Sequence, residues 1–216
     1  LRSRAASESA GEEGRRVTRY YRSVAPAADA VTVEEVKRNL RVEHGEEDEL
    51  IEALRDAAQV WLEGNGASRN GVLGKVLITQ TWMVETREPN CFGVVWLDQG
   101  PVQSVTQVQV MRDGSYSTWS SSEWRLGYDG PRAFVIPKSG FGWPSRDGRE
   151  DAIRITYVAG YGDAAADIPA PLRHAILLLA AELYENREAS RADTGGRREL
   201  PFAVSALIEP FRDARI

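Results

Sequence analysis

Side chains that build metal centres, covalent staples and nucleophilic relays are scarce in this sequence: its 216 residues hold one cysteine, two histidines and three lysines. Cys91 alone cannot form an internal disulfide, and with His44 and His174 it cannot complete a usual structural zinc site without carboxylate help. A reducing compartment fits that usage. His44 lies in an acidic linker and His174 on the polar side of a helix start, and no Gly-x-Ser-x-Gly elbow occurs anywhere in the chain, so a nucleophile would lack its base. Cys91 stands in a turn between Asn90 and Phe92. No catalytic residue, metal or cofactor is expected. Long apolar runs are missing too: the longest, Ala175 to Ala181, stops far short of the roughly 18 residues that span a bilayer. The N-terminus has Arg and Ser but no apolar signal-peptide core. These absences predict a non-enzymatic, soluble protein of cytoplasmic origin with no membrane partner.

The chain is not short of charge, but the charge is unevenly placed. Residues 1–28 carry six Arg and three Glu (+3), residues 29–66 eleven acids and four bases (−7), and the remainder seventeen bases and eighteen acids (−1). An acidic module repels duplex phosphate, because affinity for DNA comes mainly from cations that displace condensed counterions. A DNA-binding protein of the usual kind is thereby disfavoured. The dominance of Arg over Lys37, Lys75 and Lys138 reflects a GC-rich coding bias more than a function.

A hydrophobic content of 42% is enough for a real core over this length. Residues 1–30 are rich in Arg, Ser, Ala and Glu and read as a flexible N-terminal arm, with Val17 to Tyr21 as a patch able to dock on a partner. Thr32 followed by Glu35 is a capping box, and Val33, Val36 and Leu40 recur at helical spacing up to Arg41. After His44-Gly45, the acids Glu46 to Glu49 suit a helix N-terminus. Leu50, Ile51, Leu54, Ala58, Trp61 and Leu62 then form one apolar stripe, closed by Gly64-Asn65-Gly66. From Val76 the period becomes two. Val76 to Val84, Val94 to Leu97, Val105 to Met111, Phe134 to Ile136 and Ile153 to Val158 are strand-like runs separated by turn signals, as in an antiparallel meander, with Ser120 to Ser122 in a loop. Helical spacing returns after Ile168-Pro169-Ala170-Pro171 in a segment apolar nearly all round, and ends, beyond a polar loop over Asp193 to Arg198, in a short helix with Val204, Leu207, Ile208 and Phe211. The expected fold is α+β, a small four-helix frame with a β-rich insertion between the second and third helices: arm 1–30, first helical pair 31–66, insertion 67–167, second helical pair with C-terminal tail 168–216.

Three motifs invite chemistry and support it weakly. The run Glu46-Glu47-Asp48-Glu49 offers carboxylates to a divalent cation, but consecutive helical residues point in different directions, which favours a solvated helix start. Gly140-Phe141-Gly142-Trp143-Pro144 and Gly160-Tyr161-Gly162 are glycine-rich, yet neither leads into Gly-Lys-Ser/Thr. Six tryptophans in a partly β chain raise an alternative, a glycan-binding module on a virion or cell surface, although Trp more often anchors cores and interfaces.

Taken in order, Thr32-Val33-Glu34-Glu35-Val36-Lys37-Arg38-Asn39-Leu40-Arg41-Val42, Asp48-Glu49-Leu50-Ile51, Gly100-Pro101-Val102-Gln103-Ser104-Val105, Tyr157-Val158-Ala159-Gly160-Tyr161-Gly162, Ile168-Pro169-Ala170-Pro171-Leu172-Arg173-His174-Ala175-Ile176-Leu177-Leu178-Leu179 and Tyr184-Glu185-Asn186-Arg187-Glu188 resemble the head-to-tail connector (adaptor) family of long-tailed phages, prophages and gene transfer agents. The resemblance covers about residues 32 to 211, and the long N-terminal arm departs from it. It implies a structural subunit without enzymatic activity, in a dodecameric homo-oligomeric ring beneath the portal protein. Such a ring extends the DNA channel, lets DNA pass without specific binding, and receives a stopper or tail-completion protein at the neck of a virion or phage-like particle. It also implies portal docking by the C-terminal tail, through Phe202, Phe211, Arg212, Arg215 and Ile216. The all-round apolar helix makes Leu177, Leu178 and Ala181 the expected subunit interface. The acidic balance of residues 29–66 makes Glu46, Glu47, Asp48 and Glu49 the expected channel lining.

Overall fold

A computed structural model describes residues 18–64, 71–186 and 202–212. They form an α+β protein with four α-helices and two antiparallel sheets, built on two apolar clusters. The helices are α1 (Val33–Leu40), α2 (Asp48–Glu63), α3 (Ala170–Glu185) and α4 (Phe202–Ile208). The strands are β1 (Arg19–Val24), β2 (Gln80–Thr86), β3 (Val95–Leu97), β4 (Val102–Arg112), β5 (Ser115–Thr118), β6 (Trp124–Asp129), β7 (Arg132–Pro137) and β8 (Ile153–Ala159).

α1 begins as its sequence requires. Thr32 Oγ1 accepts the Glu35 N–H at 3.2 Å and the Glu35 carboxylate accepts the Thr32 N–H at 2.9 Å, so two orphan donors are satisfied reciprocally. Arg41 closes the helix in the left-handed region, at φ 60°. α2 turns Ile51, Ala58 and Leu62 inward, while Leu50, which the apolar pattern places in the same stripe, is 38% exposed. The cause is angular: residue 50 lies about 100° round the helix from residue 51, so both cannot face one core.

Helix α3 packs against α1, α2 and α4 of its own chain, which accounts for its almost uniform apolarity. Leu172, Ala175, Ile176, Leu179 and Ala180 are buried, and Leu177, Leu178 and Ala181 are half-buried. Polar ties reinforce the packing. Arg173 donates to the Ala30 carbonyl at 3.2 Å and pairs with Glu35, Asn39 reaches the Leu177 carbonyl, and the Tyr184 hydroxyl donates to Glu47. Burial pushes the Glu35 carboxyl up, but the Thr32 N–H and the Arg173 guanidinium outweigh it and hold the group below the usual range.

The larger sheet has the order β1-β2-β8-β4-β5 and the smaller β3-β7-β6. Their inner faces share one core: Trp82, Val84, Val108, Val110, Ile153, Ile155 and Tyr157 of the first meet Val95, Leu97, Trp124, Ala133 and Val135 of the second. The order differs from a simple meander because β8 enters between β2 and β4, pairing Val84 with Ile155 on one side and Val108 with Ile155 on the other. Residues 19–24 are a second difference. The sequence reading places them in the arm, whereas they pair along β2 from Arg19 opposite Glu85 to Val24 opposite Thr81, and Tyr20 enters the core with its hydroxyl on Asp98 at 2.8 Å. One buried aromatic ring on an alternating strand is enough to fix what composition alone reads as tail.

Two buried charged residues on α2 join the helices to the rest. Arg55 pairs with Asp29 at 2.9 Å and Asp56 at 2.7 Å, holding the segment that leads from β1 to α1. Glu63 accepts the buried Leu77 N–H at 2.7 Å, just before β2. The glycines of Gly160-Tyr161-Gly162 serve the same junction. Thr79 N–H donates to the Gly162 carbonyl at 2.9 Å and Tyr161 N–H to the Leu77 carbonyl at 2.8 Å, while a Cβ on Gly160 would lie 2.6 Å from the Thr79 nitrogen. Close backbone approach, not phosphate binding, explains that motif.

Candidate interaction surfaces

Among the described residues no group of three or more His, Cys, Asp or Glu stands ready to hold a metal, and no helix is long and apolar enough to cross a membrane. His44, His174 and Cys91 are all exposed. Of the six tryptophans, Trp82, Trp119 and Trp124 are buried, Trp61, Trp96 and Trp143 are half-buried, and the Arg132 guanidinium lies over the Trp96 ring at 4.3 Å. What the molecule offers instead are surfaces.

The first is the C-terminal helix. Val204 and Ile208 are fully buried against α3, and Phe211 is half-buried on the same cluster. Phe202, on the opposite side of α4, is 88% exposed. Arg212 pairs with Glu209 at 3.1 Å, an exposed bond of small energetic value that leaves the guanidinium available. Arg215 and Ile216 lie outside the described residues. The tail is therefore divided, with one side of α4 in the core and Phe202 presented outward.

The second is the acidic start of α2, whose four carboxylates are not equivalent. Glu47 accepts the Tyr184 hydroxyl and Asp48 accepts Lys37 at 2.6 Å, so these two fasten α2 to α3 and α1. Glu46 and Glu49 are exposed. Leu177, Leu178 and Ala181 lie together on α3, partly open beside the α1 contact made by Asn39.

The third surface escapes a reading by hydropathy. On the outer face of the larger sheet Arg154 donates to Glu85 at 2.7 and 2.9 Å, and its guanidinium stacks 3.9 Å from the Tyr116 ring. Glu85 and Arg154 are register partners on β2 and β8, so an opposite-charge pair sits directly across the strands. Burial and the Glu85 carboxylate push the Tyr21 phenol up to about 12, so it stays a neutral donor and bonds the Met83 sulfur. Gln107, Gln109 and Thr156 continue this face, half-buried and uncharged. The signal available in the sequence was the alternation of Gln107 and Gln109 with Val108 and Val110, and of Arg154 and Thr156 with Ile153, Ile155 and Tyr157.

Three solved structures share the architecture. The neck of an empty gene transfer agent (GTA) particle computed with C6 symmetry and the virion of a native GTA particle each match with a TM-score of 0.72 and 27% sequence identity, over 91% of this chain and 96% of the matched chain. The neck of a native GTA particle computed with C12 symmetry matches with a TM-score of 0.65 and 25% identity, over 89% and 96% of the two chains. No family model and no curated protein matches the sequence. The likeness agrees with the head-to-tail connector resemblance carried by the sequence.

Proposed function

We propose that the protein is a structural, non-catalytic subunit of the neck of a phage or gene transfer agent particle, where copies of the chain form a ring, with twelve as the expected number, between the portal and the stopper or tail. The observation that carries this is the likeness to GTA necks over nine-tenths of both chains, at an identity that reaches beyond fold alone. The two necks computed with C6 and C12 symmetry support a ring, whose closure requires each subunit to present two different patches to its neighbours. Phe202, with Phe211, Arg212 and the terminal Arg215 and Ile216, forms the proposed portal contact. Glu46 and Glu49, whose carboxylates fasten no other helix among the described residues, are the acids we place towards passing DNA, which an acidic wall does not retain. Leu177, Leu178 and Ala181 are the proposed contribution of α3 to contacts between subunits.

Particles produced without this protein test the reading. Negative-stain images should show DNA-filled heads that lack tails, and supplying the wild-type chain should restore tailed particles. Normally tailed particles in its absence would remove the connector role.

A further inference from the structure

Two loops at one end of the β-sandwich form a single projecting tip. The loop over residues 87–94 and the loop that opens at Lys138 are joined by the Trp143 indole N–H to the Gly93 carbonyl at 2.8 Å and by Arg146 Nε to the Arg87 carbonyl at 3.3 Å. Trp143 also packs on the core residue Trp119, with ring centroids 4.8 Å apart, so the tip stands on a rigid base. It spends this anchoring on exposed aromatics: Phe92 is 81% and Phe141 51% exposed. Among the described residues Arg87 and Arg146 meet no carboxylate, and Arg146 bonds only to the backbone carbonyls of Arg87 and Pro144. Two exposed aromatics flanked by Arg87 and Arg146, with Glu88 and Asp147 as the neighbouring acids, make this tip an interaction surface with apolar rings and two guanidinium groups that meet no carboxylate among the described residues.

The same chain carries that counterpart on its helical part. Leu50, Ala53, Ala57 and Val60 recur at spacings of three and four, which places them in one exposed strip along α2. Glu52 and Asp56 flank the strip, both more than half exposed although they also touch Arg55. Arg87 and Arg146 of the tip are opposite in charge to Glu52 and Asp56 of the strip, both patches are apolar at their centres, and they are two unlike surfaces of one chain, as a head-to-tail contact requires.

We propose that in the ring the tip of one subunit seats on the exposed face of α2 of the next, with Phe92 and Phe141 on the strip between Leu50 and Val60, and Arg87 and Arg146 against Glu52 and Asp56. This rests on the ring reading above. The occupant is a second copy of this chain, because closure by identical subunits needs two unlike complementary patches and these two satisfy that condition within one sequence.

The native thiol tests the contact, since Cys91 is the only cysteine and adjoins Phe92. Adding Ala57→Cys puts a second thiol at an exposed position of the strip. Mild oxidation of assembled particles should then give a covalent ladder of this chain, from dimers to high multiples, on non-reducing gels. The wild type should give none beyond a dimer, and Ala57→Cys with Cys91→Ser should give none beyond a dimer either. A double-thiol protein that yields only monomers and dimers, or couples to a different neck protein, overturns the contact. The ring reading is checked separately by amine crosslinking of the same particles, where multiples of this chain must appear. Their absence would remove the ring and the contact together.

Discussion

Deletion of residues 200–216 should lower the melting temperature by about 6–24 °C, an outcome that a simple docking tail would not produce. The deletion removes Val204 and Ile208, both fully buried against α3. Full burial of a side chain of this size contributes about 1.5–3 kcal/mol, and for a chain of this length each kcal/mol moves the midpoint by about 2–4 °C. Lost portal binding in such a truncation would thus mix unfolding with lost contact. Phe202→Ser separates them, because the ring is exposed and its removal leaves the core intact. Its melting curve should overlay the wild type. If Phe202 is an anchor of the proposed portal contact, affinity for portal should fall by about thirtyfold, the loss of about 2 kcal/mol expected of an interface hot spot. Unchanged portal binding in a pull-down with the Ser variant would remove Phe202 from that contact, and an unchanged melting temperature in the truncation would contradict the buried side of α4.

How far the residues alone reached is clearest at α1 and α3. The Thr32–Glu35 capping box and the bounds of α1 were readable to within a residue, because capping is local chemistry. The start of α3 after Ile168-Pro169 was readable for the same reason. Where pairing is non-local, reading failed. β5 is short and polar and gives no run of its own, β6 alternates Trp124, Leu126 and Tyr128 with Arg125, Gly127 and Asp129 in a strand pattern that a reading by apolar runs passes over, and nothing local in Ile153 to Val158 says that it enters between β2 and β4. Tyr20 shows the same limit, since composition assigns its segment to an arm while one cross-strand register assigns it to the core. Of the candidate surfaces, the division of α4 into a buried and an exposed side follows from its spacing. The unequal duties of Glu46 to Glu49 do not, because Tyr184 and Lys37 reach that cluster only through the tertiary fold.

Glu63 should give the protein a pH dependence that the Glu63→Gln variant lacks. Its carboxyl is buried at the end of α2, where burial pushes it up and the Leu77 N–H, Gln59 and Arg22 oppose the rise only in part. A carboxyl whose folded value exceeds its unfolded value of about 4.3 binds its proton more tightly in the native state. Between those two values the native chain holds a proton that the unfolded chain has released, so stability falls as pH rises through this window and stays lowered above it. Below the unfolded value both states are protonated and the group is silent. Glu63→Gln keeps an oxygen for the Leu77 N–H at 2.7 Å, and the neighbouring Gln59 and Gln80 amides can turn to accept its new N–H groups. The variant should therefore match the wild type near pH 4 and melt progressively higher than it as pH rises towards 8. Thermal melts of the two proteins across that range decide the matter. A difference that does not change with pH would mean that Glu63 ionises as freely in the folded chain as in the unfolded one, and that its place between α2 and the approach to β2 is maintained by hydrogen bonding alone.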